Sequence, residues 1–298
     1  MVMKKGFWII LCMFFIPPVT FAGNMKLHYD RPAEYFEEAL VIGNGTMGAT
    51  LYGGVKKDKI SFNDITLWTG EPESENSSPD AFNTIPEIRA LLDNEDYQGA
   101  DKAQYKVQGH YSENYQPLGT LTIEYLDDTV GISDYHRWLD IGNATARTQY
   151  LKGGKLFTSD YFASAPDSVI VIRLKSENKE GIYALLSFDS PLPHSSQVAD
   201  NEISVEGYAA YHSFPVYYKA EDKHRYDPER GIHFKTLVRV LSVDGRVKNR
   251  YSDSRIEIDG STEVLILVAN VTSFNGFDKV PVKEGRNYRS HVEKRMKC

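Results

Sequence analysis

The sequence predicts a mainly β fold, a large antiparallel β-sandwich that carries a small two-helix insertion near residues 84–107. Three observations support this prediction. From Gly119 onward, apolar and β-branched residues recur in runs of strand length. Turn-forming residues separate many of these runs, and only one stretch has the periodicity of a helix. Strands that follow one another without intervening helices pair antiparallel, which favours a two-sheet sandwich over a parallel sheet.

The first 22 residues have the pattern of a signal peptide. Two basic residues, Lys4 and Lys5, precede the apolar run "FWIILCMFFI". The segment "PPVTFA" then ends with the small residues Thr20 and Ala22, which occupy the minus-three and minus-one positions of a cleavage site. The apolar run is short for a bilayer span. The sequence therefore predicts cleavage after Ala22, export, and no membrane span.

The next segments predict strands and then helices. "EALVIGNGTMGATLYGG" and "KISFNDITLW" are rich in β-branched and aromatic residues, and a polar loop follows them. In "TIPEIRALLDNEDYQGADKAQYKV", Thr84 is expected to cap a helix, with Pro86 in its first turn and Glu87 completing a capping box. A second helix is predicted over residues 97–106.

The rest of the chain predicts strand after strand. The segments with this pattern are "TLTIEYL", "HRWLDIG", "ATARTQYL", "LFTSDYFAS", "SVIVIRLKS", "IYALLSFDS", "EISVEGYA", "HFKTLVRVLSV", "SRIEID" and "EVLILVANVTSF". Turns between strands are predicted at Gly153-Gly154, at Asp244-Gly245 and at Asp259-Gly260.

The stretch "IGNGTMG" contains the G-x-G-x-x-G spacing of many dinucleotide-binding loops. Such a loop needs a strand before the glycines and a helix directly after them. Here Gly48 is followed by "ATLYGGV", which leaves no room for a helix before Gly53 and Gly54. The glycines are therefore predicted to permit a tight turn and close packing of two strands, and no nucleotide cofactor is expected.

Charge and cysteine content exclude several other partners. The formal net charge is −7 and no long basic run is present, which argues against nucleic acid as a partner. The histidines lack the close spacing typical of metal ligands, so no metal site is predicted. Removal of Cys12 with the signal peptide would leave Cys298 alone. An exported chain without an internal disulfide is more typical of a bacterial periplasmic, cell-surface or secreted protein than of a small eukaryotic secreted module.

Longer motifs point to a particular family. "EEALVIGNGTMGATLYGGVKKDKISFNDITLWTGEP" resembles the opening of glycoside hydrolase family 95, whose N-terminal domain is a β-sandwich of the glycosyl hydrolase family 65 type. "IPEIRALLDNEDYQGAD", "YQPLGTLTIEY", "YHRWLDIGNATARTQY" and "FTSDYFASAPDSVIVIRL" resemble later segments of the family in the same order. This chain departs from the family at Asp64, where Glu is usual, at Val41 and at Trp138.

The resemblance implies a domain arrangement and an activity. Members of the family are α-L-fucosidases and some α-L-galactosidases, in which a helical linker and an (α/α)6 catalytic barrel follow the sandwich. Residues 23–282 would be the N-terminal sandwich, and residues 283–298 would begin the linker. The catalytic carboxylates of the family lie in the barrel, so the resemblance assigns no catalytic residue to any position here.

The strongest candidate contact residues are Asn44, Trp68, Thr69 and Gly70. "LWTGEP" ends a strand and enters a loop rich in turn formers, where recognition residues often lie. A Trp ring can stack on the apolar face of a sugar, and Asn and Thr can bind its hydroxyls. Packing of Trp68 in the core, or against the barrel, is the alternative.

Two functions remain open from the sequence. The chain is expected to be the N-terminal domain of an exported α-L-fucosidase-like hydrolase, acting on glycans through a catalytic barrel and inactive alone. The alternative is a free-standing carbohydrate-binding module. The segment "YAAYHSFPVYYKAEDKHRY" is rich in both aromatic and polar residues. It is interpreted as alternating strands with one solvated face. The alternative is that it forms an edge that faces a ligand.

Overall fold

Side chains alternate between buried and exposed along most strands of the computed structural model, which describes residues 25–72, 80–109, 112–127 and 131–297. The predicted signal peptide, residues 1–22, lies outside these ranges. The strands are β1 (Lys26–Tyr29), β2 (Leu40–Gly43), β3 (Met47–Leu51), β4 (Lys57–Asp64), β5 (Gly119–Tyr125), β6 (Ile132–Asp140), β7 (Thr145–Lys152), β8 (Lys155–Ser164), β9 (Val169–Ser176), β10 (Ile182–Asp189), β11 (His194–Ala199), β12 (Glu202–Tyr208), β13 (His212–Ser213), β14 (His224–Arg225), β15 (His233–Ser242), β16 (Arg246–Arg250), β17 (Arg255–Ser261) and β18 (Glu263–Thr272). The α-helices are α1 (Ala81–Asp93), α2 (Tyr97–Gln104) and α3 (Tyr288–Arg295).

The strands form two large sheets that face each other. One sheet has nine strands in the order β1-β6-β7-β8-β9-β18-β15-β12-β11, and the other has seven in the order β16-β17-β10-β5-β4-β3-β2. Every pairing in both sheets is antiparallel. The main hydrophobic core lies between them and draws on both sheets, with Ile60, Ile123, Ile172 and Ile266 fully buried. The predicted fold class, a mainly β antiparallel sandwich, is confirmed.

The two-helix insertion is confirmed, but its first boundary is wrong. Helix α1 begins at Ala81, three residues before the expected cap. The Thr84 side chain is buried inside the helix, and its hydroxyl donates to the Asp80 carbonyl at 3.0 Å. Helix α2 begins as predicted at Tyr97, where the Asp96 carboxylate accepts a hydrogen bond from the Gly99 amide at 2.9 Å.

The glycine-rich stretch forms the hairpin between β2 and β3. Gly43 pairs with Gly48 across the hairpin, and Gly45 lies in the turn with φ of +91°. A Cβ on Gly48 would lie 2.5 Å from the Asn63 Oδ1 atom on the neighbouring strand β4. The glycines therefore serve turn geometry and close strand packing, as predicted.

One predicted turn is wrong. Asp259 and Gly260 do not separate two strands but lie within β17. Gly260 is skipped in the pairing with β10, where Ile182 pairs with Ser261 and Tyr183 with Asp259, and its φ is +75°. It therefore forms a bulge that redirects the chain. Only Thr262 then separates β17 of one sheet from β18 of the other.

Strand β1, near the start of the described residues, is an extended arm that Arg137 holds in place. The Arg137 side chain is only 1% exposed. It donates to the Arg31 carbonyl at 2.7 Å and to the Glu38 carbonyl at 2.9 Å, and its guanidinium lies 4.2 Å from the centre of the Tyr29 ring. One buried cation thus fastens the arm and the segment after it to β6.

Helix α3 packs on the outer face of the nine-stranded sheet. Val292 and Met296 are buried against Leu237, Ala269 and Val271, which form a second, smaller core. The Arg295 guanidinium also donates to the Asn270 carbonyl at 2.6 Å. The segment expected to begin a linker is therefore helical and docked on the sandwich.

The buried carboxyl group of Asp58 on β4 joins the seven-stranded sheet to Tyr161 on β8 of the nine-stranded sheet. Its Oδ2 atom accepts a hydrogen bond from the Tyr161 hydroxyl at 2.7 Å, and its Oδ1 atom accepts one from the Gly54 amide at 2.9 Å. Burial raises the pKa of Asp58 from 3.8 to about 6, because the charged form is poorly solvated there, although these hydrogen bonds act in the opposite direction.

This raised pKa predicts that Asp58 lowers stability as pH increases. Between pH 3.8 and about 6 the folded chain keeps a proton that the unfolded chain releases. The stabilisation is therefore present in full below pH 3.8 and is lost as pH rises through about 6, a change of roughly 3 kcal/mol. Urea unfolding of the wild type and of Asp58→Asn should show their difference in free energy shifting by most of this amount between about pH 4 and about pH 7. The exposed variant Asp30→Asn is the control, and a difference for Asp58→Asn that does not change with pH would contradict the prediction.

Candidate functional site

The buried carboxylate of Asp64 shapes the turn that precedes the predicted contact residues. Its Oδ1 atom accepts hydrogen bonds from the Thr66 amide at 2.9 Å and from the Thr66 hydroxyl at 2.6 Å. The Leu67 amide donates to the Asp64 carbonyl at 3.1 Å, which closes the turn. As a result, Leu67 is fully buried, whereas Ile65 and Trp68 on either side of it point outward.

The same carboxylate links this turn to the opposite sheet. Its Oδ2 atom accepts a hydrogen bond from the Asn270 amide group at 2.8 Å, and the Asn270 Oδ1 atom accepts one from the Thr236 hydroxyl at 2.8 Å. The hydroxyls of Thr66 and Thr272 are also 2.5 Å apart. All of these partners except Thr66 are buried. The position of the turn is therefore set by both sheets together.

A cleft of about 320 Å³ opens beside this turn. Three of the four predicted contact residues, Trp68, Thr69 and Gly70, line it. The other lining residues are Ile65, Thr66, Glu71, Pro72, Glu113, Ile232, Phe274, Gly276, Phe277, Lys279 and Pro281. Its volume falls in the range of small-molecule sites, and most of its lining is apolar.

Aromatic side chains lie exposed at the cleft and beside it. Trp68 is 44% exposed and Phe277 is 88% exposed. The Trp68 indole donates to the Ile65 carbonyl at 3.0 Å, which fixes the ring without covering it. Tyr115 stands edge-on to Trp68 with the ring centres 6.4 Å apart. Partial burial, with a contribution from the Asp64 charge, raises the pKa of Tyr115, so its hydroxyl stays protonated. Trp68 is therefore neither in the core nor fully free.

Thr69 is buried and binds the carboxylate of Glu113. Glu113 lines the cleft and also contacts β13, which forms a small hairpin with β14. The Thr69 hydroxyl donates to Glu113 and accepts a hydrogen bond from the Asn114 amide at 2.8 Å. Glu113 also accepts hydrogen bonds from the Ser213 amide at 3.1 Å and from the His212 Nδ1 atom at 2.7 Å. Thr69 thus positions Glu113 rather than offering its own hydroxyl to a ligand.

Gly70 and Glu71 continue the wall of the cleft. Gly70 has φ of +110°, and a Cβ there would lie 2.7 Å from the Glu113 Cγ atom, so a larger residue would displace that side chain. Glu71 pairs through both oxygens with Arg230, whose guanidinium lies 3.6 Å from the centre of the Tyr211 ring. Both carboxylates of the cleft are thus held by donors of the protein itself.

The fourth predicted residue, Asn44, lies outside the cleft lining. Its Oδ1 atom accepts hydrogen bonds from the amides of Thr46 and Met47 at 3.1 and 2.8 Å. Its amide group donates to the Ser164 carbonyl at 2.9 Å, which links the β2–β3 turn to the other sheet. Every one of these contacts supports the hairpin, so Asn44 stabilises the β2–β3 turn and does not line the cleft.

Sequence reasoning missed most of the cleft. Glu113, Arg230 and Phe277 come from segments far from "LWTGEP", and no local pattern joins them. Within the ranges that the structure describes, no three His, Cys, Asp or Glu side chains converge as metal ligands. The cleft therefore offers an aromatic face and engaged carboxylates, an arrangement suited to contact or binding.

The fold and the motifs define a carbohydrate-enzyme domain. The sequence pattern described as "Glycosyl hydrolase family 65, N-terminal domain" matches residues 27–276, and the chain belongs to this family. Alpha-L-fucosidase 2 of Arabidopsis thaliana is 29% identical over 284 residues, which are 91% of this chain and 34% of that protein. Two proteins named "Probable alpha-fucosidase A" are also similar. That of Aspergillus oryzae is 26% identical over 80% of this chain and 32% of its own length, and that of Aspergillus niger is 29% identical over 66% and 26%.

The chain spans about a third of the length of the first two of these relatives. In the part of the chain that the structure describes, no helix has both the length and the hydropathy required to cross a membrane.

The role of Asp64 predicts a large effect of its removal. Asp64→Ala would leave the Asn270 amide and the Thr66 donors without their acceptor, and one unsatisfied buried group costs about 1–3 kcal/mol. We expect a loss of about 2–4 kcal/mol in the free energy of unfolding. The indole N–H resonance of Trp68 should move as well, because the turn loses its cap. Asp278→Ala, at an exposed carboxylate, is the matched control. A loss for Asp64→Ala as small as that of the control would show that Asp64 does not hold the turn.

Proposed function

We propose that this chain is the N-terminal, non-catalytic domain of an exported α-L-fucosidase-like glycoside hydrolase of family 95. The observation that carries the proposal is the match of nearly the whole chain to about a third of an α-L-fucosidase. The fungal relatives bear fucosidase names as well. The motif "EEALVIGNGTMGATLYGGVKKDKISFNDITLWTGEP" supports the narrower family assignment.

The cleft supports a role beside a catalytic domain. Ile65, Trp68 and Phe277 expose apolar surface together, which in a soluble protein indicates a contact surface or a ligand site. Glu71 and Glu113 are both engaged, by Arg230 and by Thr69 with His212. An inverting glycosidase needs one carboxyl group to donate a proton and another to activate water. In this proposal the cleft packs against the catalytic barrel, and the barrel supplies both groups.

A second candidate function is a free-standing carbohydrate-binding module. The observation that favours it is the exposed face of Trp68, held in place by its hydrogen bond to Ile65. A rigid, half-exposed indole is a suitable platform for the apolar face of a sugar. In that case the cleft would bind a glycan directly, without a barrel.

The first proposal predicts that the purified chain releases no fucose. 2′-Fucosyllactose would be incubated with the chain, and free fucose would be measured with a coupled fucose dehydrogenase assay. Arabidopsis alpha-L-fucosidase 2 serves as the positive control. We expect no release above buffer, because the carboxylates of the cleft are already paired. Release that increases with protein concentration and is lost in Glu113→Gln would overturn the proposal.

The two candidate functions also differ in what the gene encodes. We expect the gene that encodes this domain to encode an (α/α)6 barrel downstream of it. Sequencing of that region tests this directly. Unrelated sequence there would contradict the first proposal and would favour the free-standing module, for which Trp68→Ala should weaken glycan binding.

A further inference from the structure

A row of four aromatic rings crosses the outer face of the nine-stranded sheet. The rings belong to Tyr226, Tyr208, His233 and Tyr288, and successive ring centres are 6.5, 5.5 and 6.2 Å apart. They come from the loop before β15, the end of β12, the start of β15 and the start of α3. Tyr208 and Tyr226 are the two ends of the aromatic segment "YAAYHSFPVYYKAEDKHRY", for which the sequence allowed either a solvated face or a ligand-facing edge.

This row borders an open cleft of about 400 Å³, which we call the outer cleft. Its lining residues are Pro193, His194, Ser195, Glu206, Gly207, Tyr208, Pro228, His233, Tyr288 and Arg289. It shares no residue with the cleft beside Trp68, which we call the first cleft. The nearest approach along the chain is at Ile232 and His233, neighbours that line the first cleft and the outer cleft respectively. The two sites are therefore separate surfaces.

The charges of the outer cleft compensate one another. Glu206 pairs with Lys235 at 3.3 Å and with Arg289 at 2.7 Å, and Lys235 also pairs with Glu293 at 3.2 Å. Burial lowers the pKa of His233, so its imidazole is neutral near pH 7. With two cations balanced by two carboxylates, the surface does not favour a phosphate or another strongly charged ligand.

Several hydrogen-bonding atoms remain open to a ligand. The His233 Nε2 atom lies 3.0 Å from the Pro228 carbonyl, which can only accept, so Nε2 carries the proton and Nδ1 is left as an acceptor. His194 is already engaged, because its Nδ1 atom donates to the Leu192 carbonyl at 2.8 Å and its Nε2 atom lies 3.5 Å from the Asp189 Oδ1 atom. Across the described residues, the hydroxyls of Tyr208 and Tyr288 have no hydrogen-bond partner. The polar atoms that the outer cleft offers are therefore the His233 Nδ1 acceptor and the hydroxyls of Tyr208 and Tyr288.

We propose that the outer cleft binds a neutral oligosaccharide of at least three sugar units. Neighbouring rings of the row lie at 72°, 26° and 49° to one another, so the row presents a mixture of ring faces and ring edges. Exposed ring surface can pack on the apolar sides of sugar rings, while the histidine and tyrosine polar atoms meet the hydroxyl edges. Because Glu206 pairs with both Lys235 and Arg289, the outer cleft has no free positive charge at this point that would favour an acidic sugar. The site holds a glycan chain on the sandwich and carries out no chemistry. It does not depend on the proposed fucosidase function.

Titration of ¹⁵N-labelled protein tests this directly, with 2′-fucosyllactose and lacto-N-tetraose as the probes. We expect saturable chemical-shift changes at residues 206–208, 233 and 288–289. Tyr208→Ala and Tyr226→Ala should each weaken binding about tenfold or more. Tyr226 is 40% exposed on a loop, so its truncation tests binding with little risk to the fold. Tyr97→Ala, at an exposed tyrosine of the helical insertion, is the matched control and should leave binding unchanged.

Two results would overturn the inference. One is the absence of saturable shifts at these residues for both saccharides at about 10 mM. The other is binding that survives both tyrosine substitutions, or that is lost in Trp68→Ala alone, which would assign the glycan to the first cleft. Neither result depends on fucose release, so this inference and the proposed function can fail separately.

Discussion

The hydrogen bonds of the buried Asp64 carboxylate determine how the two sheets and the first cleft fit together. Its Oδ1 atom caps the turn from which Ile65 and Trp68 point outward, and its Oδ2 atom binds Asn270 on the opposite sheet. A buried carboxylate is costly unless donors surround it, and here three donors do so. The wall of the cleft at residues 64–68 is therefore tied to both sheets. The short Asp64 side chain reaches both Thr66 and Asn270.

Most of the fold follows from local pattern, and the exceptions have physical reasons. Strands such as β9 and β18 lie in the middle of a sheet, so their apolar runs are plain in the sequence. Edge strands β11 and β16 are polar and largely exposed, and they escaped prediction because only their backbone pairs with a neighbour. Gly260 was taken for a turn because a bulge and a turn need the same positive φ.

The site was less predictable than the fold, because its parts meet only in three dimensions. "LWTGEP" directed attention to Trp68, Thr69 and Gly70, and all three line the first cleft. Glu113 and Phe277, which complete it, lie in loops whose local sequence carries no signal of proximity. The outer cleft is a clearer example, since Tyr208 and Tyr288 are eighty residues apart and become neighbours only when α3 docks. Both clefts are arranged for contact, one apolar and one charge-compensated.

The central position of β18 has a consequence for the order in which the chain folds. It is the last strand in sequence, yet it lies between β9 and β15 in the nine-stranded sheet. Strands β6 to β9 can pair in succession as they emerge, but β9 then presents an unpaired, valine- and isoleucine-rich edge until residue 272 has been made. Such an edge invites pairing with other chains, and closing it requires contacts of long sequence separation. The strand order therefore makes the closing of the nine-stranded sheet at β18 a late step, and we expect that step to limit the folding rate.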